Sequence, residues 1–254
     1  EEKRKKERQE RIEQEAQKRQ RRALRIWNES KSIFPIPYLK NRKIECDKNP
    51  FIRIKHIDEY QKRWLNLSKP IEGPIEGIVF AATDENNEIK AIQRVLTQNG
   101  YKLKVDTAKL TYGTLNNTLV KFDDACESMA IGEGPETSLS WRMTTKQATW
   151  CALGLSNLIN AKFPEVVKSV TILGEIEISG AGLIGAIKAY NNIDTQDCTA
   201  EIAFPKDPME LISCDFNDIL QNEGPEALPI LSKRYKTKNR FRNKEHLIIA
   251  KDSR

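Results

Sequence analysis

The strongest chemical signal in this sequence is a set of acidic side chains framed by glycine. Glu133 stands between Gly132 and Gly134, directly after the apolar run Ser128-Met129-Ala130-Ile131. Glu175 and Glu177 stand one residue apart, shortly after Ser169-Val170-Thr171-Ile172-Leu173. If the chain stays extended there, both glutamates point the same general way, because side chains alternate along a strand. Three carboxylates from two strand ends gather a hard divalent cation such as Mg²⁺, which takes oxygen ligands and keeps several waters. Such an ion stabilises charge on a transferring phosphoryl group and acidifies an attacking hydroxyl. Glu-x-Glu is also common on solvated surfaces, so that reading stays open for the pair. Asp215 and Asp218 open a helical pattern and are either second-rank ligands or helix caps. Glu136 reads more as a first-turn acid that favours the helix dipole than as a catalytic group.

The elements that must position these acids alternate. Apolar strands are expected at 128–131, 148–153, 169–173 and 199–204, with helices from Ser138 to about Met143, at Ser156-Asn157-Leu158 and from Gly182 to Tyr190. Strand and helix in turn predict a parallel sheet with right-handed crossovers. In such sheets ligands sit beyond the carboxyl ends of the strands, where Glu133, Glu175 and Glu177 fall.

The first half has another rhythm. Residues up to about Arg25 are nearly all Lys, Arg, Glu and Gln, with helical pairs such as Glu7 with Arg11, each worth only ~0.2–0.5 kcal/mol. This reads as a solvated linker helix, with phosphate contact through its positive excess as the alternative. A short helix is expected near Tyr38-Leu39, then a hairpin of Gly77–Thr83 and Ile89–Leu96 around the turn Asp84-Glu85-Asn86-Asn87, then a strand at 118–122. The bland role of Arg94 in the second hairpin strand is a surface charge. The expected organisation is a charged helical linker (1–25), a small α+β subdomain (26–124), an α/β domain (125–222) and a basic tail (223–254).

The 254 residues carry a formal net charge of +6, which favours polyanionic partners. The tail holds Lys233, Arg234, Lys236, Lys238, Arg240 and Arg242 with Tyr235 and Phe241 among them. Cations with interleaved aromatics suit phosphate contact and base stacking on a single strand, although a solvated linker has the same composition. Five widely spaced cysteines exclude a zinc ribbon and a disulfide framework, and suit a reducing cytoplasm. No apolar stretch is long enough to cross a bilayer, so no membrane role is expected. No signal peptide opens the chain, and its start at Glu1 inside a charged run is expected of a processed chain or a piece of something larger.

A strand ending in Glu-Gly, a crossover, and a strand ending in two acids one residue apart resembles the Toprim pattern of primases, topoisomerases and some nucleases. The likeness is to the branch in phage, plasmid and mobile-element primases. Glu133-Gly134-Pro135-Glu136-Thr137 stands where that branch commonly has Glu-Gly-Ile-Glu-Thr. Trp150 to Asn157 is similar to its second strand and turn, and Asp215-Phe216-Asn217-Asp218 to its closing Asp-x-Asn-Asp motif. Trp27-Asn28-Glu29-Ser30 and the hairpin ending Ala91-Ile92-Gln93-Arg94 match the approach to it, so the likeness spans most of 24–222.

The resemblance implies a Toprim-like parallel sheet flanked by helices, preceded by a small α+β subdomain and a charged N-terminal helix. It implies a DNA primase that joins nucleoside triphosphates into RNA primers on single-stranded DNA. Mg²⁺ or Mn²⁺ would be held by Glu133, Glu175 and Glu177, with Asp215 and Asp218 nearby, and Arg94 would face the nucleotide or template groove. A helicase or another replication or transfer protein is the implied partner. The departures point the other way. The family places Asp-x-Asp where this chain has Glu175-Ile176-Glu177, and a side chain one methylene longer can misplace a ligand. A degenerate Toprim module that only binds nucleic acid is therefore the alternative. A Toprim nuclease would need cleavage machinery that the sequence does not display, and no G-x-x-x-x-G-K-[ST] run for a helicase motor is present.

Overall fold

A computed structural model describes residues 2–63, 71–105, 107–194, 197–208 and 212–235. The chain divides into two compact units, Glu1–Phe122 and Asp123–Arg254.

The first unit opens with a long helix α1 (Glu2–Asn28), followed by α2 (Pro37–Asn41), β1 (Ile52–Ile57), α3 (Glu59–Arg63), β2 (Ile75–Thr83), β3 (Ile89–Gln98), β4 (Tyr101–Lys102), β5 (Lys109–Gly113) and β6 (Val120–Lys121). Its sheet is antiparallel, in the order β1-β2-β3-β4, with β5 also on β3. The expected hairpin is β2–β3. Asp84 closes its turn by accepting from the backbone N–H groups of Asn86 and Glu88. From Ala23 the sequence turns apolar, and there α1 enters the core: Ala23, Ile26 and Trp27 pack with Val79, Ala81 and Ile92. Helical charge pairs alone would leave α1 marginal, and this apolar end is what anchors it. β1 was not foreseen, and the strand expected at 118–122 is only two residues long, with Leu119 bridging to Thr83.

The second unit alternates as expected: β7 (Ser128–Gly132), α4 (Pro135–Thr145), β8 (Ala148–Cys151), α5 (Leu155–Ile159), β9 (Ser169–Leu173), α6 (Ala181–Ile193), β10 (Thr199–Phe204), α7 (Phe216–Glu223), α8 (Ala227–Leu231) and β11 (Lys233–Tyr235). Its strands run in the order β11-β10-β9-β7-β8. All neighbours are parallel except the edge strand β11, which pairs antiparallel with β10. This is the expected α/β sheet flanked by helices, with one antiparallel edge. The chain leaves β7 toward β8 on one side, then returns past it to β9 on the other. The order therefore reverses between β7 and β9, the topological switch point where an open α/β sheet forms its crevice.

Packing around that crevice is close. Gly182, in the first turn of α6, has no room for a Cβ, which would lie 2.2 Å from the Glu175 carbonyl oxygen. Trp141 of α4 is fully buried and meets Phe216 of α7 edge to face, with ring centroids 5.1 Å apart. Such a pair adds about 0.5–1.5 kcal/mol beyond the area it buries.

Candidate metal and nucleic-acid site

Glu133 follows β7 and Glu175 follows β9 by two residues, so both occupy the carboxyl ends of the two strands that flank the switch point. Glu133 is half-buried, and its carbonyl oxygen accepts from the Cys151 thiol at 3.3 Å. Gly134 then caps the start of α4, with Pro135 in the first helical position, where its missing N–H is not needed. A Cβ at position 134 would lie 3.4 Å from Glu175 Oε1 and 3.8 Å from Glu136 Oε2. Glycine therefore leaves a small space bordered by two carboxylates. Thr137, one residue further along α4, donates its hydroxyl to Glu175 Oε1 at 2.9 Å.

The segment after β9 is tied to the segment before α7. Ile176 and Cys214 exchange both backbone hydrogen bonds, at 3.0 and 2.9 Å. Ile176 is buried, whereas Glu177 and Ile178 are exposed. Glu177 accepts from the Ser179 hydroxyl at 3.2 Å. Asp215 and Asp218 cap α7 reciprocally: Asp215 Oδ1 accepts from the Asp218 N–H at 2.8 Å, and Asp218 Oδ2 from the Asp215 N–H at 3.0 Å. Burial pushes the Asp215 carboxyl above the usual carboxylate range, and the charges of Asp218 and Glu136 add to the push. Asp215 thus feels Glu136 across the gap between α7 and α4. Asn217 ties these helices by donating to Ser140 Oγ at 3.0 Å.

The structure therefore brings Glu175 and Glu136 close to Gly134, with Asp215 within electrostatic reach of Glu136. The oxygen donors suit a hard divalent ion. Among the described residues, no three His, Cys, Asp or Glu side chains already converge closely enough to hold one. Sequence reasoning gave Glu136 a lesser role and missed Thr137, Ser140 and Asn217 as tethers. Their signal was a small polar side chain beside each acid-bearing turn, a hydroxyl or a carboxamide, which composition alone does not separate from ordinary helix capping.

Arg94 is not the surface charge its bland reading supposed. It is 6% exposed, on β3, with its side chain against Gly77 and its guanidinium 5.4 Å from the Tyr112 ring centroid. Its Nε and Nη2 are buried with no hydrogen-bond partner among the described residues. Arg22 of α1 lies over the same ring at 4.8 Å. Burial lowers the Arg94 pKa, the Tyr112 charge opposes this, and the Arg22 charge adds to it. In the second unit, Lys233 and Arg234 sit on β11 and are exposed. Arg234 pairs with Glu201 at 3.2 Å and covers the Trp141 ring at 5.1 Å. Lys236, Lys238, Arg240 and Arg242 lie outside the described residues. Among the described residues, no helix is long and apolar enough to cross a membrane.

Residues 128–226 match the Toprim domain family, and residues 17–122 match a domain of unknown function, DUF7146. No curated protein matches the sequence. Several solved structures share the fold. The primase fragment of the bacteriophage T7 primase-helicase protein is 13% identical with a TM-score of 0.52, over 80% of this chain and 79% of that one. The Aquifex aeolicus primase, comprising zinc-binding and RNA polymerase domains, is 14% identical with a TM-score of 0.53, over 84% of this chain and 59% of that one. A DNA primase domain from Pseudomonas aeruginosa is 12% identical with a TM-score of 0.50, over 78% and 72%.

Proposed function

Starting from a Toprim protein with the fold of primase fragments, we propose that this chain synthesises RNA primers on single-stranded DNA from nucleoside triphosphates. The observation that carries the proposal is the placement of Glu133 and Glu175 at the carboxyl ends of adjacent strands, on either side of the switch point. Glu133, Glu175 and Glu177 would hold the ion, Mg²⁺ or Mn²⁺, with Asp215 and Asp218 supporting it. When bound, the ion supplies charge neutralisation for the triphosphate and acidifies the attacking 3′-hydroxyl. The remaining work is orientation: α4 and the Ile176–Cys214 pairing fix where the acids can stand.

The template strand would be held through its phosphates by Lys233, Arg234 and the tail cations Lys236, Lys238, Arg240 and Arg242. Within the first unit, Arg94 would take a phosphate of its own, since a buried guanidinium with two unmatched donors is a group that an incoming anion relieves. The setting would be cytoplasmic, and a helicase or other replication or transfer protein would be the partner.

A second reading is a Toprim module that binds nucleic acid without catalysis. It is favoured by the absence of any three converging ligand side chains among the described residues. One experiment separates the two. Primer synthesis on a single-stranded template is measured in Mg²⁺ and in Mn²⁺, beside metal titration by calorimetry, for the wild type and Glu133→Gln. Metal-dependent synthesis that disappears with Glu133→Gln supports the primase. DNA binding with no synthesis and no saturable metal uptake by an intact fold establishes the binding module instead.

A further inference from the structure

Helix α4 carries five hydroxyl side chains, and four of them behave alike. Ser138, Ser140, Thr144 and Thr145 each donate back to the carbonyl four residues earlier in their own chain. This is the local bond that serine and threonine make in helices. Thr137 differs. The carbonyl four residues before it belongs to Glu133 and accepts from the Cys151 thiol. The Thr137 hydroxyl instead crosses to a segment 38 residues away and donates to Glu175 Oε1 at 2.9 Å. Thr137 is 1% exposed, so water is not the alternative partner of that hydroxyl.

We propose that Thr137 is a positioning residue for a divalent-ion site, and that its hydroxyl holds the Glu175 carboxylate in the orientation in which it meets the ion. The inference rests on Glu175 being a ligand. Its logic is one of reach. A glutamate has one more rotatable bond than an aspartate, and that freedom is lost when the carboxylate is fixed on an ion. A donor that fixes one oxygen beforehand removes part of this loss. The donor's chemistry also suits the task. A hydroxyl occupies a single lone pair and leaves the carboxylate its full charge, whereas a lysine or arginine in the same place would compete with the cation. Gly134 completes the arrangement, because it leaves open the space beside Oε1.

The test is calorimetric titration of the full chain with Mn²⁺ and with Mg²⁺, which needs no catalysis. Thr137→Val keeps the shape and loses the hydroxyl. It should weaken metal binding about 10-fold or more, the usual cost of losing a partner that orients a ligand. Thr137→Ser should stay within about 3-fold of wild type, and the thermal midpoint of both should be nearly unchanged. The shorter arm of Glu175→Asp falls short of Thr137, so adding Thr137→Val in that background should weaken binding no further. If Thr137→Val loses its cooperative thermal transition, Thr137→Ala carries the same expectation. Wild-type affinity in the hydroxyl-free variants, alongside a loss in Glu175→Gln, overturns the role of Thr137 and leaves Glu175 a ligand. Wild-type affinity in Glu175→Gln overturns both.

Discussion

The two units crowd like charges in opposite senses. The first buries a cation, Arg94, with an aromatic ring and another arginine for neighbours. The second brings anions together, with Asp215 pushed up by burial and by the carboxylates of Asp218 and Glu136. Each arrangement costs folding stability, because a buried charge or a crowded pair is penalised unless something of opposite sign meets it. Elsewhere in each unit charges are matched, as in Lys55 with Glu29 and the two-pronged Arg142 with Asp123. A ligand of opposite sign at either place would relieve that cost.

Removing the acids should break the comparison most completely. Glu133→Gln combined with Glu175→Gln should reduce primer synthesis and metal affinity by more than about 100-fold while the thermal transition survives. Assays of synthesis and calorimetry read this, and retained synthesis would move the site elsewhere. Next in size is Arg94→Met. If the guanidinium is a cost in the free protein, the variant should be more stable by about 1–3 kcal/mol in urea unfolding, and should bind single-stranded DNA more weakly. Lower stability would mean that Arg94 has a native partner. A smaller effect is expected of Asp215→Asn. Asparagine caps a helix as well as aspartate and carries no charge, so relief of crowding opposes a lost dipole interaction of about 0.3–1 kcal/mol. A net gain of about 0.5 kcal/mol in thermal unfolding, coupled to weaker metal binding, would sharpen the contrast; a loss would show that the dipole dominates. The smallest effect belongs to Lys233→Ala, which should lower the salt dependence of DNA binding by about 0.7 in logarithmic slope if one phosphate contact is lost.

The second unit was more legible in the sequence than the first, for reasons particular residues make plain. β7, β9 and β10 are buried along nearly their whole length, so their apolar runs stand out, each closed at its carboxyl end by Gly132, Gly174 or Pro205. Asp215 and Asp218 obeyed local capping rules that need no tertiary information. Helix α4 ran past its expected end near Met143 because Thr144 and Thr145 extend it, although their type favours ending a helix. In the first unit β1 escaped notice, since Arg53, Lys55 and His56 break its apolar pattern. Arg53 stacks on Trp27 at 4.1 Å and Lys55 pairs with Glu29, contacts made with residues more than twenty positions away. For the candidate site, the residue types and spacing singled out the acids that follow β7 and β9. They did not disclose that Thr137 reaches Glu175, or that Arg94 is buried, because both depend on which faces the packed elements turn inward.

The pairing of Ile176 with Cys214 bears on timing as well as on placement. Two reciprocal amide bonds join the stretch carrying Glu175 and Glu177 to the stretch that starts α7, so neither can swing out alone without breaking both. Opening becomes a single cooperative event, and the amides of Ile176 and Cys214 should exchange with solvent deuterium at closely similar rates. A ligand gripping only one of the two stretches would slow both.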